Sequence, residues 1–223
     1  MARQTKKTAQ TARVEIPAVQ MQTIEIPIKG LDGPLVCHNW SLKAIEDMLR
    51  RQLGDKVNSK QPKDPEATFQ QSLYLATNGT YGFPATAFKS ALVRASKGID
   101  GMDMVGTRQM LFVVADCEEI REFSVPLADG NTFSHTIQTP LVSILGEPTM
   151  RMDMVRLNGK TADVRFRGEF KEWEAVLTIR HLADRISKKE VANLVNLAGN
   201  TVGVGEGRPE KGSDMTWGRW EVA

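Results

Sequence analysis

The run "VGVGEGRPEKGSDMTWGRWEV", residues 202–222, is the first place in this chain where residue types and spacing suggest chemistry. Glycines recur at 203, 205, 207, 212 and 218, and Trp217 and Trp220 follow. A phosphate loop places its glycines between a strand and a helix and ends in Gly-Lys-Ser/Thr, so that helix amides face the phosphates. Here the glycines follow a helix-like pattern and precede a strand-like one, and "EKGS" is not that ending. A dinucleotide fingerprint fails for the same reason of order. What remains is a loop carrying Arg208, Lys211 and Arg219, whose glycines would let backbone amides approach a phosphodiester chain closely. Glu206, Glu210 and Asp214 balance those cations. The residues alone leave standing both a ligand loop and a hairpin without a ligand. Trp217 and Trp220 lie three apart on a strand and face opposite sides. One belongs to the core, and the other is available to stack on a base or a neighbouring subunit.

Other reactive residues are scattered. His38, His135 and His181 stand alone, without Cys, Asp or Glu at metal-ligand spacing. Cys37 and Cys117 form no C-x-x-C and no disulfide framework, and read as reduced thiols. Cys37 and His38 are adjacent, so an extended backbone points them apart. Hydrolase, zinc-protease and kinase signatures are missing. No metal or cofactor is expected, and no enzyme activity. Cations, by contrast, are grouped: residues 83–97 carry Lys89, Arg94 and Lys97 and no acid, and residues 1–13 carry Arg3, Lys6, Lys7 and Arg13 and no acid.

The whole chain hides this grouping. Its 223 residues hold 29 Lys and Arg against 27 Asp and Glu, a net charge of +2, so a polyanion would have to be bound by a local cluster. With 41% hydrophobic and 25% charged residues it is an ordinary globular composition. The length suits one domain with insertions or two small ones. Neither a membrane-length apolar run nor a signal-peptide pattern is present, which gives a cytoplasmic expectation and no membrane partner.

The elements that must position these groups are legible in part. Ile24, Ile26 and Ile28 alternate in a strand over 23–30, with Pro27 at an edge or bulge. A helix over 41–54 carries Leu42, Ile45, Leu49 and Leu53, capped by Ser41 or Asn39 and closed by Gly54. A second helix spans 81–98, with Pro84 in its first turn and Phe88, Ala91, Leu92 and Ala95 inside. "QMLFVVAD" (109–116) reads as a central strand, and 117–160 as a long irregular insertion. Residues 162–170 set Val164, Phe166 and Phe170 against Arg165, Arg167 and Glu169, and pair with 174–181 as a hairpin across "KEW". Ser187 and Glu190 form a capping box for a helix over 187–200, with Val191, Leu194, Val195 and Ala198 inside and Gly199 as left-handed C-cap. A final strand contains Trp220. The order is βαββαβ, an α+β, modified ferredoxin-like or RRM-like core with two long insertions at 41–80 and 117–160. Residues 1–13 form a disordered basic arm, and 14–223 a single domain.

Two stretches resemble a known family. "IPIKGLDGP" and "FPATAFKSALVR" are similar to the first strand, loop and crossover helix of RAMP-type proteins, the backbone subunits of CRISPR effector complexes. "GVGEGRPEKGSDMTWGRWEV" is similar in place and kind to that family's Gly-rich loop. This ending also looks like that of uncharacterised bacteriophage proteins. The resemblance covers roughly half the chain, at both ends of the core, and departs at Thr86 and Ser90, where many members have Ser and Gly. It implies an RRM-like subunit that oligomerises head to tail along single-stranded RNA or DNA, with RNA favoured. The partners would be copies of itself and other CRISPR-type or phage proteins. By position it implies Lys89 and Arg94 on the helix and Arg208 and Lys211 in the loop as nucleic-acid-binding residues, with Lys29, Lys97 and Arg219 beside them. Some members cut RNA with an Asp after the first strand, and Asp32 stands in a similar place. The alternative is a phage structural protein or inhibitor that keeps the fold and copies a backbone subunit's surface without binding nucleic acid.

Overall fold

The computed structural model describes residues 18–38, 42–53, 62–127, 130–157, 161–211 and 214–223. The basic arm 1–13 and the caps Asn39, Ser41 and Gly54 lie outside them. In chain order the first elements are β1 (Met21–Leu31), β2 (Leu35–Val36), α1 (Leu42–Gln52), α2 (Pro65–Ser72), β3 (Tyr74–Leu75), β4 (Tyr81–Pro84), α3 (Ala85–Ala95) and α4 (Met104–Met110). Then come β5 (Leu111–Val114), β6 (Cys117–Pro126), β7 (Thr132–Ser143), β8 (Pro148–Leu157), β9 (Thr161–Phe170), β10 (Glu174–Leu182), α5 (Lys188–Thr201) and β11 (Arg219–Val222).

The core is the βαββαβ unit β1–α3–β5–β10–α5–β11. Its strands form one antiparallel sheet in the order β11–β1–β10–β5. This is the ferredoxin-like arrangement, in which the last strand to form the hairpin inserts between the first two. Pro27 lies one residue beyond the β11 ladder, which starts at Ile28, and its carbonyl accepts from Ala223 N–H at 3.0 Å. Helices α3 and α5 pack on one face of this sheet. Phe88, Ala91, Leu92 and Ala95 of α3 and Val191, Leu194, Val195 and Ala198 of α5 are all buried, against Ile26, Ile28, Leu177, Ile179 and Trp220. Burying one such large side chain contributes about 1.5–3 kcal/mol. The α5 cap forms as its sequence demands: Ser187 N–H donates to Glu190 Oε2 at 2.8 Å, and Glu190 N–H to Ser187 Oγ at 3.3 Å.

Local differences from the sequence reading have physical causes. Residues 81–84 are strand, not helix, because Gly82 and Phe83 pair with Ser143 and Val142 and the Phe83 ring enters the core. Pro84 is therefore the N-cap. Strand β5, expected in the centre, lies at the edge of the sheet, paired only with β10, and it starts at Leu111, because the Asp103 carboxylate caps α4 by accepting from the amides of Val105 and Gly106, each at 2.8 Å. Gly199 lies inside α5, which runs on to Thr201, and the left-handed residue is Gly203. On α1, Ile45 and Leu49 are half-buried and Leu53 is exposed.

The larger corrections concern pairing. Segments β9 and β10 do not pair with each other. β9 joins β8 and β2, while β10 joins β1 and β5. The chain changes sheets at Lys171–Trp173, where Trp173 is buried and its carbonyl accepts from Gly30 N–H at 2.8 Å. The described part of 117–157, expected to be irregular, is mostly strand. β6 and β7 form a hairpin from Cys117↔Leu141 to Pro126↔Thr132, and β8 runs against β9 from Pro148↔Phe170 to Leu157↔Thr161. On β9 the expected alternation is lost: Arg167 and Glu169 are buried along with Phe170 towards its end, and Val164 is exposed.

Candidate polyanion-binding groove

After α5 the chain turns sharply, with the amides of Val202 and Gly203 both donating to Ala198 O at 3.0 Å. The following loop is sewn to two other segments. Val204 N–H donates to Gly218 O at 2.9 Å, Glu206 N–H to Val36 O at 3.0 Å, and Gly218 N–H to Pro34 O at 2.9 Å. Gly205 has φ +79, and a β-carbon there would stand 2.5 Å from the Val36 oxygen. Gly218 has φ +64, and its β-carbon would stand 1.8 Å from the Val204 oxygen. The glycines thus let three backbones lie against one another. The amides of Val204 and Glu206 are thus bonded within the protein.

Cations face outward instead. A cleft of about 370 Å³ lies between α3 and the loop, lined by Thr86, Ser90 and Arg94 on one side and His38, Arg208 and Lys211 on the other. A second depression of about 300 Å³ shares Thr86, Ser90 and Arg94 and adds Lys89 and Arg108. The two make one groove along the outer face of α3. Cations outnumber acids here: the one carboxylate in contact with the lining arginines is Glu210, which pairs with Arg94 and Arg208, among the described residues. Lys89 Nζ stands 4.6 Å from the centre of the Phe112 ring, itself exposed.

Of the residues singled out in sequence, Lys89, Arg94, Arg208 and Lys211 come together here. Lys97 is exposed just beyond α3 and lines neither depression. Lys29 lies on β1 in register with Glu174 and Glu221. Arg219 is a tie: its Nε donates to Asn200 O at 3.1 Å, and its Nη1 lies 3.3 Å from Asp32 Oδ2. Asp32 itself is an exposed turn residue with φ 54. Sequence reasoning missed Arg108 and His38. Arg108 was findable as a helix residue, because Asp103 is of a type that caps helix starts.

No family model matches this chain, and no curated protein matches it. Among solved structures, the crystal structure of Cmr6 from Pyrococcus furiosus aligns over 92% of this chain and 100% of that chain, at 13% identity and a TM-score of 0.39. So loose a likeness carries no argument, and the groove has to be read on its own terms.

Its acids are partnered. Glu206 Oε1 accepts from His38 Nδ1 at 3.1 Å, and Oε2 lies 3.8 Å from Arg167 Nη1. The His38 hydrogen bond, first of all, holds the Glu206 carboxyl down at about 2, against a burial cost that pushes it up. Arg167, buried, also donates to Asp153 at 2.5 Å. Asp153 and Glu169 both accept from Arg151, whose guanidinium lies 4.0 Å from the Trp217 ring centre. This chain of contacts braces the glycine loop against β8 and β9. Glu210 meets Arg94 on one side and Arg208 on the other. Cys37 points away from its neighbour His38 into the core, and burial pushes its thiol up to about 12, which makes it unreactive. Among the described residues no helix is long and apolar enough to cross a membrane, and no three His, Cys, Asp or Glu are grouped to hold a metal.

Proposed function

We propose that this protein binds single-stranded nucleic acid, RNA in preference to DNA, without catalysing a reaction, and that its copies line up head to tail along the strand. One observation carries the reading: a groove that gathers five cations, Lys89, Arg94, Arg108, Arg208 and Lys211, against one carboxylate, Glu210, on a chain whose net charge is only +2. Such local segregation of charge is what a phosphodiester backbone requires. The exposed Phe112 beside Lys89 offers a ring at the groove's end on which a base can stack. Partners of the CRISPR or phage kind follow from the sequence resemblance alone.

The test is fluorescence anisotropy with labelled single-stranded RNA and DNA of equal sequence at low salt, alongside electron microscopy with a long strand. Saturable, salt-sensitive binding with regular filaments is the expected result. The absence of binding to any single strand sinks the reading. A second reading, a subunit that keeps the fold without the ligand, draws on Glu210, which already half-neutralises Arg94 and Arg208. It predicts a purified protein whose 260/280 nm absorbance ratio is that of protein alone, and a defined protein partner.

A further inference from the structure

Glu210 stands where a bound anion would stand. Its Oε1 accepts from the Arg94 guanidinium on α3, and its Oε2 lies 3.3 Å from Nη2 of Arg208 in the loop. A phosphodiester offers the same feature, two anionic oxygens on one atom, to the same pair of planar donors. The place is open to solvent on the α3 side, with the Arg94 side chain 47% exposed. The two loop acids differ in how they are held. Glu206 has its amide on Val36 O at 3.0 Å and its carboxylate on His38 and close to Arg167. Glu210 sits on a single 3-10 turn, Pro209–Lys211, and its amide reaches Val202 O only at 3.5 Å. Glu206 is a fixture, whereas Glu210 is replaceable.

We propose that the Arg94–Arg208 pair is the phosphate seat of the groove, that Glu210 is its internal occupant, and that a phosphodiester displaces Glu210 when a strand binds. This rests on the function proposed above for the identity of the strand. The exchange itself is open to any phosphate polymer. No covalent bond changes: the carboxylate turns out to water, and two phosphate oxygens take over its guanidinium contacts. The consequence is selectivity by length. A tethered carboxylate competes at an effective concentration on the order of millimolar. A lone phosphate group loses that competition. A polymer wins it, because Lys89, Arg108 and Lys211 hold its neighbouring phosphates. Glu210 therefore discriminates polymers from mononucleotides.

The experiment compares the full chain, Glu210→Gln and Glu122→Gln. Glu122 is exposed on β6 and carries the same change of net charge. The probes are a labelled single-stranded oligoribonucleotide, inorganic polyphosphate and AMP. Glu210→Gln is expected to bind both polymers roughly tenfold more tightly, the effect of freeing one charge-assisted contact, and to gain measurable AMP binding. Glu122→Gln should shift either affinity less than about twofold, as surface pairs contribute little. Adding Arg94→Gln to Glu210→Gln should erase the gain, since the seat is then gone. Equal effects of the two Glu variants, or weaker binding by Glu210→Gln, would overturn the proposal. So would a melting midpoint lowered by more than about 5 °C, which would make Glu210 a strut. Tightened polyphosphate binding with no oligonucleotide binding leaves the exchange standing and removes the nucleic-acid reading. Failure of every variant with every probe removes both.

Discussion

Replacing Gly199 by alanine should destabilise this protein, against the usual direction of such a change in a helix. Alanine is favoured over glycine in a helix interior by about 1 kcal/mol. Gly199 is interior, since α5 continues to Thr201. A β-carbon at 199 would, however, stand 2.2 Å from Trp220 O and 2.5 Å from Trp220 Cδ1. Ordinary carbon contacts need about 3.5 Å or more. The obstacle is strand backbone and a fully buried indole, neither of which can rotate away. Relief requires α5 to back off from β11 by something over an ångström. That opens the bond from Trp220 Nε1 to Val195 O, now 3.1 Å. Overpacking of this kind costs about 1–3 kcal/mol, and a buried donor left without its acceptor costs about 1–3 kcal/mol more. Set against the propensity gain, the net loss is about 1–5 kcal/mol, or about 2–20 °C in melting midpoint for a chain of this length. Urea unfolding followed by tryptophan fluorescence measures it, with exposed Asn196→Ala as the control for helix propensity. A Gly199→Ala variant as stable as the parent would refute the close packing of α5 on β11.

Lys89→Glu combined with Arg94→Glu should weaken single-strand binding by about 100-fold, and should lower the salt slope by about 1.4 if two phosphate contacts are lost. Circular dichroism should show the fold intact, and unchanged affinity would remove the groove from the binding site. Gly205→Ala forces a side chain at φ +79 against Val36 O. It should shift the loop and lower affinity at constant net charge, with a stability loss of about 1–3 kcal/mol; an unaltered affinity would show that the loop does not set the groove. Glu206 predicts the acid limb of stability. The folded chain holds it ionised down to about 2, while an unfolded carboxyl takes up its proton near the ordinary 4.5. Its contribution, about 1–3 kcal/mol with partial exposure discounted, is thus fully present above pH 4.5 and lost as pH falls towards 2. Glu206→Gln should flatten the stability profile in that window, and an identical acid limb would contradict it.

What could be read from the sequence was the helical face and the order of the core strands. The stripes on α3 and α5 are strictly periodic, and the Ser187–Glu190 box is a local device, so nothing distant had to be known. The hairpins were hidden for a different reason. On β6 and β7 few apolar positions are buried, Leu141 and Val142 at the base and Val125 near the tip, so alternation is diluted by polar residues on both sides. β9 was misread because Arg167 and Glu169 look like a solvated face. They are buried because Arg151, Asp153 and Glu206 supply counter-charges, two from the adjacent strand and one from a loop nearly forty residues away. Charge pairing at that range leaves no local pattern. In the groove, Lys89 and Arg94 were visible as cations without neighbouring acids. Arg108 and His38 come from elements that only the fold brings alongside.

The braced glycine loop explains how a chain of nearly neutral charge can present a cationic surface. The loop's own acids were the main objection to a polyanion site. One of them, Glu206, is drawn inward by His38 and the buried Arg167, and that arrangement needs the loop backbone to lie against Val36, which only glycine at 205 permits. The glycines act on charge through geometry: they bring the loop close enough for an interior arginine to neutralise its carboxylate, leaving Arg208 and Lys211 on the outer side. The same partition sets the kinetics. With a net charge of +2 there is no long-range field to steer a strand towards the groove, so association should run at an unsteered rate of about 10⁵–10⁷ M⁻¹s⁻¹. Under the function proposed above, affinity must then reside in slow release, through the local contacts of the groove. A steered, salt-sensitive on-rate well above that range would place the binding surface somewhere other than this groove.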